Sequence, residues 1–145
     1  MLFVGTWGSG VFRAPLEDPA FRFLTPGTDG GGLRDKNITA VLGREVAGQP
    51  WIGSFGGRPQ RVDVVAGSVV PSGGSSTESI RRAGVQSLAV ATDGSLFAGS
   101  TAGVYRFAAD GSELGLDSFI AGQRDGIGQG YVGALLPAGD AGLWV

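Results

Sequence analysis

Val85-Gln86-Ser87-Leu88-Ala89-Val90, Thr92-Asp93-Gly94-Ser95, Leu96-Phe97-Ala98-Gly99-Ser100: two apolar runs meet across an Asp-Gly turn. Asp-Gly between two such runs is a strong hairpin signal, because the two-residue turn that matches strand twist needs positive φ. The stretch has counterparts elsewhere in the chain. Phe3-Val4-Gly5-Thr6 and Trp51-Ile52-Gly53-Ser54 keep the order aromatic, apolar, Gly, Ser/Thr, and Leu143-Trp144-Val145 opens a fourth copy. Aligned on their aromatics, Phe3, Trp51, Phe97 and Trp144 are spaced by 48, 46 and 47 residues. A period in this range, built from short strands, is the signature of β-propeller blades.

Each unit reads as four strands. The first is Ile38-Thr39-Ala40-Val41-Leu42, repeated as the run from Val85 to Val90 and again from Tyr131 to Leu136. The second is the aromatic strand. A Gly-rich turn leads to the third, Val11-Phe12-Arg13 or Val104-Tyr105-Arg106-Phe107. In the middle copy Arg58-Pro59-Gln60-Arg61 stands there, and Pro59, with no N–H to donate, predicts a strand shortened or begun after it. Weak outer strands are expected around Ala20 to Leu24, Ser68 to Val70 and Ser118 to Ile120. The expected fold is therefore all-β: one partial β-propeller domain over residues 1–145, with about three four-stranded antiparallel blades. Val11, Phe12, Ile38, Val41, Trp51, Ile52, Leu88, Leu96, Phe97, Val104, Tyr105 and Leu135 are its expected core.

Composition narrows the chemistry. The 145 residues contain no His and no Cys, which removes the commonest general base, the commonest zinc ligands, a thiolate nucleophile and any disulfide. Eleven basic and thirteen acidic residues are interspersed, with no basic stripe to recruit nucleic acid. No run approaches the ~20 apolar residues of a membrane span. Met1-Leu2-Phe3-Val4 matches the internal repeat, so it reads as strand and not as signal peptide. Gly30-Gly31-Gly32 lacks the Lys-Ser/Thr of a phosphate loop and reads as a flexible connector. No metal site or cofactor is expected, and with carboxylates scattered over turns, no enzymatic activity.

These motifs resemble the two-component regulator propeller repeat. Leu33-Arg34-Asp35-Lys36-Asn37-Ile38-Thr39-Ala40-Val41 matches its lead-in, Asp93 to Ser100 its turn and second strand, and Gly10-Val11-Phe12-Arg13 and Gly103-Val104-Tyr105-Arg106 its third strand. The resemblance implies a sensory, ligand-binding propeller in a bacterial signalling protein, placed in the periplasm or outside the cell. Alternatives are a fragment of a propeller lyase or glycoside hydrolase, or a protein-interaction scaffold.

Propellers bind ligands where loops converge at one end of the channel. By the implied geometry those are the turns after the aromatic strand and the loops entering the innermost strand. Trp7 and Phe55 share one repeat position there and suit stacking on a sugar or another planar face. Arg81, Arg82 and Arg124 suit a carboxylate or sulfate, with Tyr131 beside them. Against these stand ordinary uses: aromatics packed between blades, and solvated surface arginines. The expected partners are a small molecule or glycan at this end, and further blades or another chain completing the ring. Three units do not close a ring of 4–8 blades. Leu143-Trp144-Val145 and Leu2-Phe3-Val4 would compete for one position in a ring of identical chains, so the expectation is a segment of a longer propeller.

Overall fold

The computed structural model describes residues 2–6, 8–14, 22–27, 31–43, 49–70, 78–120, 130–139 and 142–145. These form antiparallel sheets in sequence order. Blade I has β1 (Leu2–Thr6), β2 (Gly10–Ala14) and β3 (Arg22–Leu24), and blade II has β4 (Ile38–Leu42), β5 (Trp51–Ser54), β6 (Gly57–Asp63) and β7 (Ser68–Val70). A short helix, α1 (Glu78–Ala83), leads to blade III: β8 (Ser87–Val90), β9 (Leu96–Gly99), β10 (Gly103–Phe107) and β11 (Glu113–Ile120). β12 (Leu136–Pro137) and β13 (Leu143–Trp144) begin a fourth sheet. Each strand pairs with the next in sequence, and each sheet stacks on its neighbour through the inner strands: β1 on β4, β4 and β5 on β8, β8 on β12. This is propeller-blade architecture, and α1 is shorter than two helical turns.

Alternation along the second strand builds the core. Successive strand residues point to opposite faces. Trp51 therefore packs toward blade III, among Ile80, Val85, Leu96, Ala98, Tyr105 and Phe107, while Ile52 packs toward blade I, among Val11, Leu33, Ile38, Val62 and Val69. Both residues are buried. On the third strand an arginine lies opposite each aromatic, in the pairs Phe3↔Arg13, Trp51↔Arg61 and Phe97↔Arg106. The Arg61 and Arg106 guanidinium carbons each lie 5.5 Å from the ring centroid of Trp51 and Phe97 respectively, within cation–π range.

Glycine in the aromatic motif has a steric reason. A Cβ on Gly53 would lie 2.5 Å from Val85 Cγ1, and one on Gly99 would lie 2.5 Å from Val132 Cγ1. On Gly5 it would lie 3.1 Å from Ile38 Cγ2. Each glycine thus seats the β-branched residue that leads into the next blade. Hydrogen bonds fix the same joint. The Val85 N–H donates to the Ser54 carbonyl (2.9 Å), and the Val132 N–H to the Ser100 carbonyl (3.0 Å). Hydroxyls reach across as well: Thr39 Oγ1 donates to the Val85 carbonyl, and Ser87 Oγ donates to the Val132 carbonyl at 2.8 Å.

Four expectations need correction. β6 runs through Pro59, because Arg58 and Pro59 together face Gly53 in a bulge between the pairs Ile52↔Gln60 and Ser54↔Gly57. The missing N–H therefore costs no ladder bond. The outer strand β11 starts at Glu113 and spans eight residues, held to β10 across two register shifts. Val41 is exposed: its repeat equivalent Leu88 is covered by blade II, but among the described residues blade I presents only β1 beside β4. Of the glycine connector, Gly30 lies outside the described residues, and Gly31 and Gly32 are docked and not loose. The Gly31 carbonyl accepts from the Val69 N–H at 3.0 Å, covering the β7 edge, and Gln60 Nε2 donates to the Gly32 carbonyl at 3.4 Å.

The glycine joint gives a direct test. Gly53→Ala and Gly99→Ala each force a methyl into the next blade, and should destabilise the fold by about 1–3 kcal/mol in denaturant titrations. Gly43→Ala, where a Cβ meets nothing within 4 Å, should leave stability unchanged or raise it by up to about 1 kcal/mol.

Candidate functional site

Antiparallel connectivity sorts the loops into two ends. At one end lie the turns after each aromatic strand and the segments that enter each innermost strand. The turns close on glycines in the left-handed region, Gly10 (φ 88°), Gly57 (φ 123°) and Gly103 (φ 134°). These hold one repeat position, and a Cβ on Gly10 would meet the Leu24 carbonyl oxygen at 2.5 Å.

On blade II a chain of contacts positions the turn. Asp35 Oδ1 accepts from the Asn37 N–H at 2.7 Å, an Asx turn that shapes the entry segment. The Asn37 carbonyl accepts from the Phe55 N–H at 3.3 Å, and Asp35 lies against Gly56, where a Cβ would meet it at 2.5 Å. From the other side comes α1. It ends at Gly84 (φ 67°), whose N–H donates to the Ile80 carbonyl at 3.1 Å, as expected for a glycine C-cap. A Cβ on Gly84 would lie 2.9 Å from both the Phe55 Cα and the Phe55 carbonyl oxygen. The same glycine thus terminates the helix and lets it close on the turn. In the next blade, Thr101 Oγ1 donates to the Ala83 carbonyl (3.1 Å), tying its turn to the end of α1.

This geometry brings Phe55, Arg81 and Arg82 together. Phe55 is exposed at the tip of the turn, and both arginines are exposed in the last turn of α1, with the Arg81 Cα 3.9 Å from the Cβ direction of Gly57. Sequence patterning had read Arg81-Arg82 as loop. The helix supplies their rigid mounting, and its signal was the Gly at 84. Tyr131 is exposed in the next entry segment, directly before Val132, at the same end but one blade farther on. Trp7 and Arg124 lie outside the described residues. One contributor went unrecognised in sequence: Asp35 as the residue shaping the turn. Arg58, next in sequence after Gly57, is buried on β6. Burial, then the Arg34 charge, lowers the Arg58 pKa, with Glu113 acting in the opposite sense.

The opposite end is built from acidic hairpins. Asp93 Oδ1 accepts from the Ser95 N–H (2.9 Å) and Ser95 Oγ (2.6 Å), and its other oxygen meets Arg106 Nη2 at 2.6 Å. Asp110 holds Ser112 in the same way, at 2.8 and 2.7 Å. Asp63 Oδ1 accepts from the Val65 and Ala66 N–H groups, each at 2.8 Å. These carboxylates serve as turn acceptors. Among the described residues no three His, Cys, Asp or Glu side chains gather as a metal site.

No protein-family model and no curated protein matches the sequence. Solved structures do match. The chain is similar to the extracellular domain of the hybrid two component system BT4673 from B. thetaiotaomicron, with a TM-score of 0.69 and 20% identity over 98% of the chain. A second structure of BT4673, described as a one component system, gives the same TM-score at 19% identity. The extracellular domain of the hybrid two component system BT3049 from the same organism gives 0.65 and 18% identity over 80% of the chain. The chain spans 18% and 16% of the lengths of these solved extracellular-domain chains. At this identity the likeness establishes the fold.

Two measurements check the two ends. Gly84→Ala strains a left-handed residue and pushes on the Phe55 backbone, so stability should fall by about 1–2 kcal/mol. At the acidic end, the Ser95 hydroxyl and N–H, then Arg106, lower the Asp93 pKa below 3.8. The folded state then binds this proton less tightly than the unfolded chain, so its stabilisation is present above pH 3.8 and is lost as pH falls through the lowered value. The stability difference between the parent chain and Asp93→Asn, followed by urea titration at a series of pH values, should shrink on acidification below that point.

Proposed function

We propose that this chain is a segment of an extracytoplasmic sensory propeller, and that the end carrying Phe55, Arg81, Arg82 and Tyr131 binds a small molecule or glycan bearing carboxylate or sulfate groups. The observation that carries this reading is the mounting of an exposed aromatic beside two helix-borne guanidiniums. An aromatic ring offers a stacking face, and guanidiniums pair bidentately with planar anions. Support for the sensory role comes from the fold likeness, since the similar structures are extracellular domains of one- and two-component systems. The same likeness supports a periplasmic or extracellular location. No helix among the described residues is long and apolar enough to cross a membrane.

Binding without catalysis is the proposed activity. Asp93, Asp110 and Asp63 are already engaged as turn acceptors at the opposite end, which favours this over a lyase or glycosidase fragment. The remaining partner in this reading is the rest of a propeller ring.

A panel of neutral, carboxylated and sulfated oligosaccharides, screened by calorimetry, tests the proposal. Anionic members should bind, with affinity falling at higher salt. Phe55→Ala and Arg81→Ala should each weaken binding at least about tenfold, equivalent to about 1.4 kcal/mol. Binding that ignores both substitutions, or no preference for anionic sugars, would overturn it.

A further inference from the structure

The turn that carries Phe55 is held from both sides, and each side brings an arginine. From one side Asp35 packs on Gly56, where a Cβ would lie 2.5 Å from the Asp35 Cβ. From the other, the Arg81 Cα lies 3.9 Å from where a Gly57 Cβ would stand. Gly56 and Gly57 are the two residues that follow Phe55, and Arg34 directly precedes Asp35. Arg34, Phe55 and Arg81 are all exposed.

The repeat makes the two arginines equivalents. Ile38 and Val85 fill the joints at Gly5 and Gly53, and each arginine stands four residues before its joint residue. The segment leading to Val132 has Gly128 at that position, and the turn after β9 has Thr101 where this one has Phe55. The next turn along therefore has neither the aromatic nor the second arginine.

Arg34 is firmly mounted. Its N–H donates to Gln60 Oε1 at 2.8 Å, and Leu33 before it is buried, with its own N–H bonded to the Thr25 carbonyl at 3.1 Å. Gln60 stands where blades I and III have Phe12 and Tyr105, opposite the residue that follows the strand aromatic. Blade II thus replaces an aromatic with a buried amide that holds this segment, and a buried amide is tolerated when it is hydrogen-bonded. Burial, then the Arg34 charge, lowers the Arg58 pKa, so that charge reaches the residue after Gly57. The segment's carboxylate, Asp35, has its Oδ1 engaged by the Asn37 N–H.

We propose that this site is double-ended: an extended dianion lies across Phe55, with one anionic group paired to Arg34 and the other to Arg81 and Arg82. The proposal deepens the ligand reading above and rests on it. Guanidiniums on both sides of a stacking face select two charges flanking a planar or apolar middle over a single charge. A disaccharide with an anionic group on each unit has this chemistry, and so does a dicarboxylate with a planar centre.

Calorimetry with matched probes is the test. One pair is a disaccharide bearing one sulfate and the same disaccharide bearing one on each unit. The other is a biphenyl monocarboxylate and the dicarboxylate with one group on each ring. In at least one pair the doubly charged probe should bind at least about tenfold more tightly, and the pair that does so identifies the sugar or the acid as the source. Arg34→Gln should abolish that advantage while changing the affinity of the singly charged probe less than about twofold. Lys36→Gln removes an equal charge from the same segment, at a residue whose carbonyl is held by the Gly10 N–H of blade I at 3.0 Å. It should leave the advantage in place. Circular dichroism identical to the parent confirms that each variant is folded. Doubly charged probes that bind no better than singly charged ones would overturn the proposal. So would an equal loss in Lys36→Gln, which would mean a general charge effect and not pairing. If singly charged probes still depend on Phe55 and Arg81 in those cases, the ligand reading stands and the double-ended site alone fails. No binding by any probe would remove both.

Discussion

Everything in this fold depends on a second strand that is buried on both faces. In blade II, Trp51 and Ile52 are neighbours in sequence and belong to different cores, one shared with blade III and one with blade I. A strand of this kind cannot be stable in an isolated sheet, since one of its two apolar faces would always meet water. Stacking is therefore the condition for the strand and not a later embellishment. The third residue must then be small enough for the next blade to enter, which is the position that Gly5, Gly53 and Gly99 hold against Ile38, Val85 and Val132.

That constraint explains what the sequence made legible. The aromatic–x–Gly triplet records the two buried faces and the entry point, so the strands and their order could be read from four short copies. Arg13 and Arg106 were visible as motif positions, whereas Arg61, in the copy that departs from the motif, is placed opposite Trp51 by the cross-strand register. What escaped reading depends on contacts between units. Pro59 looks like a strand breaker until Gly53 opposite it permits a bulge. Val41 has the pattern of a buried strand residue, and its exposure follows from what stands beside β4. The α1 helix is six residues, too short for a periodicity to register, and only its terminal glycine marked it.

The two ends of the sheets have been given different materials. At one end, Asx turns from Asp93 and Asp110 close hairpins within a blade and use their carboxylates to do so. At the other, the turns are pinned by neighbours: Phe55 by Asn37 and Gly84, and Thr101 by Ala83. Phe55 is exposed at the tip of its turn, and Arg81 and Arg82 are exposed on α1 beside it. Of the residues singled out in sequence, Phe55, Arg81 and Arg82 lie together at this end. Tyr131 belongs to the same end but to the following blade.

The joint between glycine and the incoming β-branched residue also bears on how the chain finds its structure. Gly5 meets Ile38, Gly53 meets Val85 and Gly99 meets Val132, separations of 33, 32 and 33 residues. The entropy of closing such a loop varies only with the logarithm of its length, so the three closures are nearly equal in cost. No junction among them requires a chain-spanning encounter. Folding can begin at whichever joint forms first and spread outward one blade at a time, in the manner of a one-dimensional array. The low sequence separation of these contacts predicts assembly faster than for β-sandwiches, whose pairings reach across most of the chain.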